Sequence, residues 1–136
     1  MVKIDLEYTG GLHCSATHGP SGRTLETDAP VDNHGRGESF SPTDLVATAL
    51  GACMSTVMGI YAESRGIDLS GMKLTVGKEM TATPPRRIAR ITTEIWLPAG
   101  VKKSPALENA ALTCPVHASL HPEVEKPITF HYAESV

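Results

Sequence analysis

Residues 41–66, SPTDLVATALGACMSTVMGIYAESRG, decide how the chain is read. Ser41 stands as a helix N-cap, Pro42 as the first helical residue and Asp44 two places on, the S-x-x-D form of a capping box. Phe40 and Leu45 are spaced to staple that entry, and Gly66 suits the left-handed position after a helix end. Between these signals the eighteen residues Leu45 to Ala62 carry no charge. That length borders on a membrane span. The content argues against one. Thr48, Gly51, Ser55, Thr56 and Gly59 interrupt the stretch, only five of its residues are Leu, Ile or Val, and no aromatic belt or basic flank accompanies it. The expectation is a helix buried on nearly all sides, with a sheet on one face and a second subunit on the other. Ala49, Gly51, Ala52 and Gly59 would let another backbone come close.

The flanking sequence supplies strands. Val2, Ile4, Leu6 and Tyr8 alternate with polar residues, the pattern of a half-buried strand. After the Gly10-Gly11 turn, Leu12, Cys14 and Ala16 predict a second strand, and residues 23–28 a third. Residues 29–40 are rich in turn formers and read as a loop. Beyond the helix, residues 72–80 and 88–97 alternate again around TATPPRR, a hairpin with Ile91, Thr93, Ile95 and Leu97 on one face. Ser104-Pro105 opens a second helix, Cys114-Pro115 a short third one, and ITFHY, residues 128–132, is a last strand. Strands, a long helix, strands, short helices and a strand make an α+β chain of one domain, residues 1–136.

With 136 residues, about two-thirds of the unfolded surface can be buried. Aromatic residues are few, so Val, Ile, Leu, Met and Ala must form the core, which favours an oligomer that completes the burial. A net charge of −3 gives no footprint for nucleic acid or for an anionic membrane surface. The N-terminus lacks an apolar signal core, so the chain is expected in the cytoplasm, where structural disulfides are rare. Three cysteines is an odd number, so at least one is free, metal-bound or redox-active.

Cys53 lies about three turns into the uncharged helix, where a thiol alone reads as a small hydrophobe. Cys114 differs. As N-cap of a short helix its sulfur would face open backbone N–H groups and the positive end of the helix dipole, and both favour thiolate. His117, one turn on, would add to this if protonated. Cys114-x-x-His117 also has metal-ligand spacing, and His13, Cys14 and His18 form a second cluster; the simpler reading of both is surface or core side chains. Cys14, on the face of Leu12 and Ala16, reads as a core thiol.

FSPTDLVATALGACM together with LENAALTCPVHASL resembles the OsmC/Ohr family, the osmotically inducible and organic hydroperoxide resistance proteins. The first motif is a Pro-x-x-Leu element leading to a small-residue helix with Cys; the second is a Cys-Pro element about sixty residues later. Cys53 and Cys114 fit both, and the element order fits over essentially the whole chain. The resemblance implies an intertwined homodimer with central helices packed between antiparallel sheets. It implies thiol-dependent reduction of organic hydroperoxides, with Cys53 peroxidatic and Cys114 resolving, at sites where subunits meet. It implies a small dithiol or lipoyl-type reductant, and neither metal nor organic cofactor. Two helpers of the family pattern are displaced. The motif puts its Glu at Thr43, and Leu12 and His13 follow the Thr-Gly-Gly turn where its Arg would stand. His13, Arg23, Arg36, Glu38 and Asp44 are the candidates for polarising or positioning a substrate. The alternative function is binding of a small ligand in the interface cleft without efficient peroxidase activity.

Overall fold

The computed structural model describes residues 1–133, and these form two compact units that divide between Val46 and Ala47. The first unit is a three-stranded antiparallel sheet in the order β1-β2-β3, with β1 Ile4–Gly10, β2 His13–His18 and β3 Thr24–Asp28. Gly10, Gly11 and Leu12 take left-handed φ angles of 91°, 64° and 62° in succession. Leu12 therefore belongs to the turn and not to the second strand, as its place in the alternation suggests. A β-bulge between Tyr8 and Gly10 takes up the register shift that this turn imposes. The alternation of the first strand is real, but its apolar side chains are open. Ile4, Leu6 and Tyr8 are more than half exposed, because nothing in the described chain covers that side of β1. Burial in this unit is confined to Ala16, Thr27, Asp28 and Ser41.

The long helix α1 spans Pro42–Glu63. Its capping box closes reciprocally: the Ser41 N–H donates to Asp44 Oδ2 at 2.9 Å and the Asp44 N–H to Ser41 Oγ at 3.1 Å. At the other end Gly66, with φ 68°, lets the Ile67 N–H reach Ala62 O at 2.9 Å and the Gly66 N–H reach Glu63 O at 3.2 Å, a Schellman ending.

The second unit holds a sheet in the order β4-β5-β6, built from β4 Lys73–Met80, β5 Ile88–Trp96 and β6 Ile128–His131. β4 and β5 are the expected antiparallel hairpin. β6 pairs with β5 in parallel, so this sheet is mixed and not wholly antiparallel. The cause is the connection, which runs through α2 Pro105–Leu112 and α3 Pro115–Ser119 before it returns to the sheet. Ile91, Thr93 and Ile95 are fully buried on one face of β5, with Leu74 and Val76 beside them on β4.

α1 covers that face. Its buried residues are Ala47, Leu50, Gly51, Met54, Met58 and Ala62, a stripe at helical spacing. A Cβ on Gly51 would lie 2.8 Å from Val76 Cγ2, so only glycine permits this approach. The opposite face, with Ala49, Ala52, Thr56 and Ile60, is exposed. Burial on nearly all sides is thus not what the single chain provides; the sheet supplies one side. By length and composition α1 could also cross a membrane, but its inner stripe is a core contact.

Thr93 Oγ1 is fully buried with no hydrogen-bond partner. An orphan hydroxyl costs roughly 1–3 kcal/mol, whereas a methyl of the same shape costs nothing there. Thr93→Val is therefore expected to stabilise the chain by about 1 kcal/mol. Urea denaturation checks this, and a midpoint that falls would mean the hydroxyl has a partner after all.

Candidate functional site

Two helices carry the cysteines, and local sequence explains both placements. On α1, Cys53 sits between the buried Met54 and the exposed Ala52, so its thiol is half-buried at the border of the core. On α2, Leu107 and Ala111 are fully buried at i, i+4 spacing, and Cys114 continues the stripe one turn later, equally buried. Ser104 caps α2 by accepting the Leu107 N–H at 3.2 Å. Cys114 does the same for α3, its Sγ accepting the His117 N–H at 3.3 Å. Pro115 fits the first helical position, where a missing N–H costs nothing.

The two thiols are neighbours: Cys53 acts on the ionisation of Cys114, and both are free. Burial pushes the Cys114 thiol up from its ordinary value, and the nearby Cys53 thiol pushes it further. The backbone N–H groups of His117 and Val116 pull the other way but do not offset this. The expectation that capping favours thiolate at Cys114 is thus corrected: the cap is present, and desolvation outweighs it. The Cys114 thiol is therefore harder to ionise than an ordinary one. His117 is corrected in the same sense. Burial lowers its pKa below 6.5, and the Lys126 ammonium lowers it further, so the ring is neutral at pH 7 and contributes its backbone N–H rather than a charge.

The other sequence candidates all lie in the first unit. The His13 ring faces Glu26 across the β2–β3 pair at 3.7 Å. Arg23 and Arg36 are exposed, one leading into β3 and one in the loop after it. Glu38 donates its backbone N–H to Asp28 Oδ2, leaving its own exposed carboxylate out of that bond. Asp44 serves the α1 cap. Cys14 is half-buried on β2, opposite Tyr8 and Thr27. Among the described residues no cluster of three or more His, Cys, Asp or Glu side chains is arranged to hold a metal ion.

One feature of the second unit is invisible to motif reading. α1 and α2 leave an apolar groove of about 530 Å³ between them, lined by Val57, Ile60, Tyr61, Ala106, Ala110 and Thr113 among others. Val57 lies one turn from Cys53, and Thr113 adjoins Cys114. Residues from two helices some fifty positions apart build it. Only the recurrence of apolar residues on the outer side of α1 hinted at it.

The family profile for OsmC-like proteins matches residues 35–127, which spans both cysteines. The chain belongs to the OsmC-like protein family. Among solved structures, one from Psychrobacter arcticus 273-4, described as an osmotic stress induced and detoxification response protein, is 41% identical with a TM-score of 0.88, covering 96% of each chain. An organic hydroperoxide resistance protein OsmC from Legionella pneumophila is 16% identical with a TM-score of 0.75, again over 96% of each chain. An organic hydroperoxide resistance protein from Elizabethkingia anophelis is 17% identical with a TM-score of 0.73 over 98% of each. These two share the fold. A search of curated proteins returned no match. The mixed α+β architecture with two three-stranded sheets is that of the OsmC-like structures.

The neutral His117 has a stability consequence. Its pKa is lowered on folding, so the unfolded chain takes up the proton first. The stability it contributes is present above about pH 6.5 and is lost as pH falls through the folded value. His117→Gln is expected to lose less stability than the parent between about pH 7.5 and pH 5 in urea titrations. Equal losses would mean that the ring is not desolvated.

Proposed function

We propose that the chain is a thiol-dependent organic hydroperoxide reductase that works through Cys53 and Cys114. The observation that supports this reading is the nearness of a half-buried free thiol to a fully buried one, each in one of the two family motifs. The difference in burial supports the roles of this reading: Cys53 is the more accessible thiol, and Cys114, buried and harder to ionise, is the resolving one.

The Cys53 thiolate attacks the outer peroxide oxygen, the O–O bond breaks, and the products are Cys53 sulfenic acid and an alkoxide that takes a proton to become the alcohol. The Cys114 sulfur then attacks the sulfenic sulfur, a disulfide forms, and water leaves with the Cys114 proton. Two thiols and one hydroperoxide thus give one alcohol, one water and one disulfide. A small dithiol or a lipoyl-type reductant restores both thiols by exchange and is itself oxidised to a disulfide. The scheme draws on no metal or organic cofactor. Three free thiols suit a reducing compartment such as the cytoplasm.

The two units act as one OsmC-like domain in this reading, and two chains form a homodimer that covers the outer face of α1. His13, Arg23, Arg36, Glu38 and Asp44 remain the candidates for polarising or positioning a substrate. The ligand-binding alternative has one observation in its favour, the apolar groove between α1 and α2.

Cys53→Ser is expected to abolish consumption of cumene hydroperoxide. Cys114→Ser should allow about one turnover and leave a sulfenic acid that a dimedone-type probe labels. Cys14→Ser should behave as the parent. A Cys53→Ser variant that still turns over would reverse the assignment, and a parent that consumes no peroxide would favour the ligand-binding alternative. Light scattering at micromolar concentration is expected to give twice the chain mass, and a stable folded monomer would remove the dimer from the proposal.

A further inference from the structure

A second reactive pair lies in the first unit, in the turn between β2 and β3. His18 ends β2, and the chain returns through Gly19, Pro20, Ser21, Gly22 and Arg23 before β3 begins at Thr24. Ser21 Oγ lies 2.6 Å from His18 Nδ1. Backbone bonds close the turn around this contact. The His18 N–H donates to Arg23 O and the Gly22 N–H to His18 O, each at 2.8 Å, and the Gly19 N–H donates to Lys3 O at 2.9 Å. Gly22 takes a left-handed φ of 72°, and the ring of Pro20 fixes one more dihedral. A Cβ on Gly19 would lie 2.7 Å from Lys3 O, so the turn is held close against the residue before β1. The backbone thus sets the separation of the two side chains.

The hydrogen bonds also give the pair a direction. The Arg23 N–H donates to Ser21 Oγ at 3.2 Å, so this oxygen accepts from the backbone and has its own proton to give. With the ring proton on Nε2, His18 Nδ1 is the acceptor within reach. A hydroxyl at this distance from an imidazole nitrogen has the spacing of a nucleophile and its base. Ser21 and His18 are both exposed, so an incoming molecule meets the oxygen without displacing a side chain. The surroundings suit an anion. Arg23 closes the turn and Lys3 is its backbone partner; both are exposed, and neither pairs with a carboxylate among the described residues.

We propose that Ser21 is an acyl-acceptor site, with His18 as its base, for activated donors of the acyl-phosphate class. The Ser21 oxygen attacks the carbonyl carbon while its proton passes to His18 Nδ1. The bond between that carbon and the phosphate oxygen then breaks, and phosphate leaves with the proton from His18. One acyl phosphate and one serine give one serine ester and one inorganic phosphate, with no oxidation or reduction. Arg23 and Lys3 draw the anionic donor to the turn. The site owes nothing to the cysteine pair and stands apart from the peroxidase reading.

The test treats the whole protein with acetyl phosphate, or with p-nitrophenyl acetate as an uncharged donor, and follows each hydroxyl by peptide mass spectrometry. Release by hydroxylamine separates a serine ester from a lysine amide. In the parent, Ser21 is expected to be acetylated at least about tenfold faster than the exposed Ser39 and Thr83, which have no imidazole partner. His18→Gln should bring Ser21 down to the rate of Ser39 with both donors. Arg23→Gln should slow Ser21 several-fold with acetyl phosphate and leave p-nitrophenyl acetate unchanged. Equal labelling of the three hydroxyls in the parent, or a His18→Gln variant that labels like the parent, overturns the site. An Arg23→Gln variant that treats the two donors alike overturns the assignment to acyl phosphates. Nitrogen NMR of the parent at about pH 8, where an ordinary imidazole is neutral, checks the pair without any substitution. The proton is expected on Nε2 of His18, and a proton on Nδ1 overturns its role as base.

Discussion

The approach of α1 to its sheet is the contact on which the rest of the second unit depends. Gly51 brings the helix backbone so near Val76 that a single added carbon would lie 2.8 Å from the valine methyl. That closeness lets Leu50, Met54 and Met58 reach zero exposure over a face of only three strands. It also fixes the rotation of the helix. With Gly51 and Met54 turned inward, Cys53 falls on the border between core and surface. A helix rotated by one residue would bury that thiol or expose it fully. The position of the sulfur is thus set by small-residue packing on the other side of the helix.

The partner thiol is placed by different means. Cys114 ends a buried stripe that starts at Leu107, and it caps the helix that follows. A cap ordinarily lowers the pKa of a thiol. Here burial and the second sulfur work in the opposite direction and prevail.

Much of this was legible because it is local. The Ser41–Asp44 box, the Gly66 ending, the Ser104 cap and the buried alternation of β5 all follow from neighbouring residues, and each is present. What the sequence misled on depends on distant residues. Periodicity of Ile4, Leu6 and Tyr8 specifies a face but not whether anything covers it. The parallel pairing of β6 comes from the path of the long connection between Trp96 and Ile128, which no strand pattern encodes. The sign of the Cys114 shift turned on how deeply the thiol is buried, a property of the packed core. The candidate site was legible as two cysteines in two motifs. The groove was not, because its walls come from α1 and α2, far apart in sequence.

The outer face of α1 makes a further point about surroundings. Ser55 and Thr56 turn their hydroxyls back into the helix, onto Gly51 O at 2.9 Å and Ala52 O at 2.8 Å. A hydroxyl facing water has no need of such a bond, and in a helix interior the bond slightly disfavours the helix. In apolar surroundings it is the means by which a hydroxyl stays satisfied. Thr56 does this on the exposed side, beside Ala49, Ala52 and Ile60. The helix is therefore built for apolar cover on both sides, while the sheet of its own chain supplies only one.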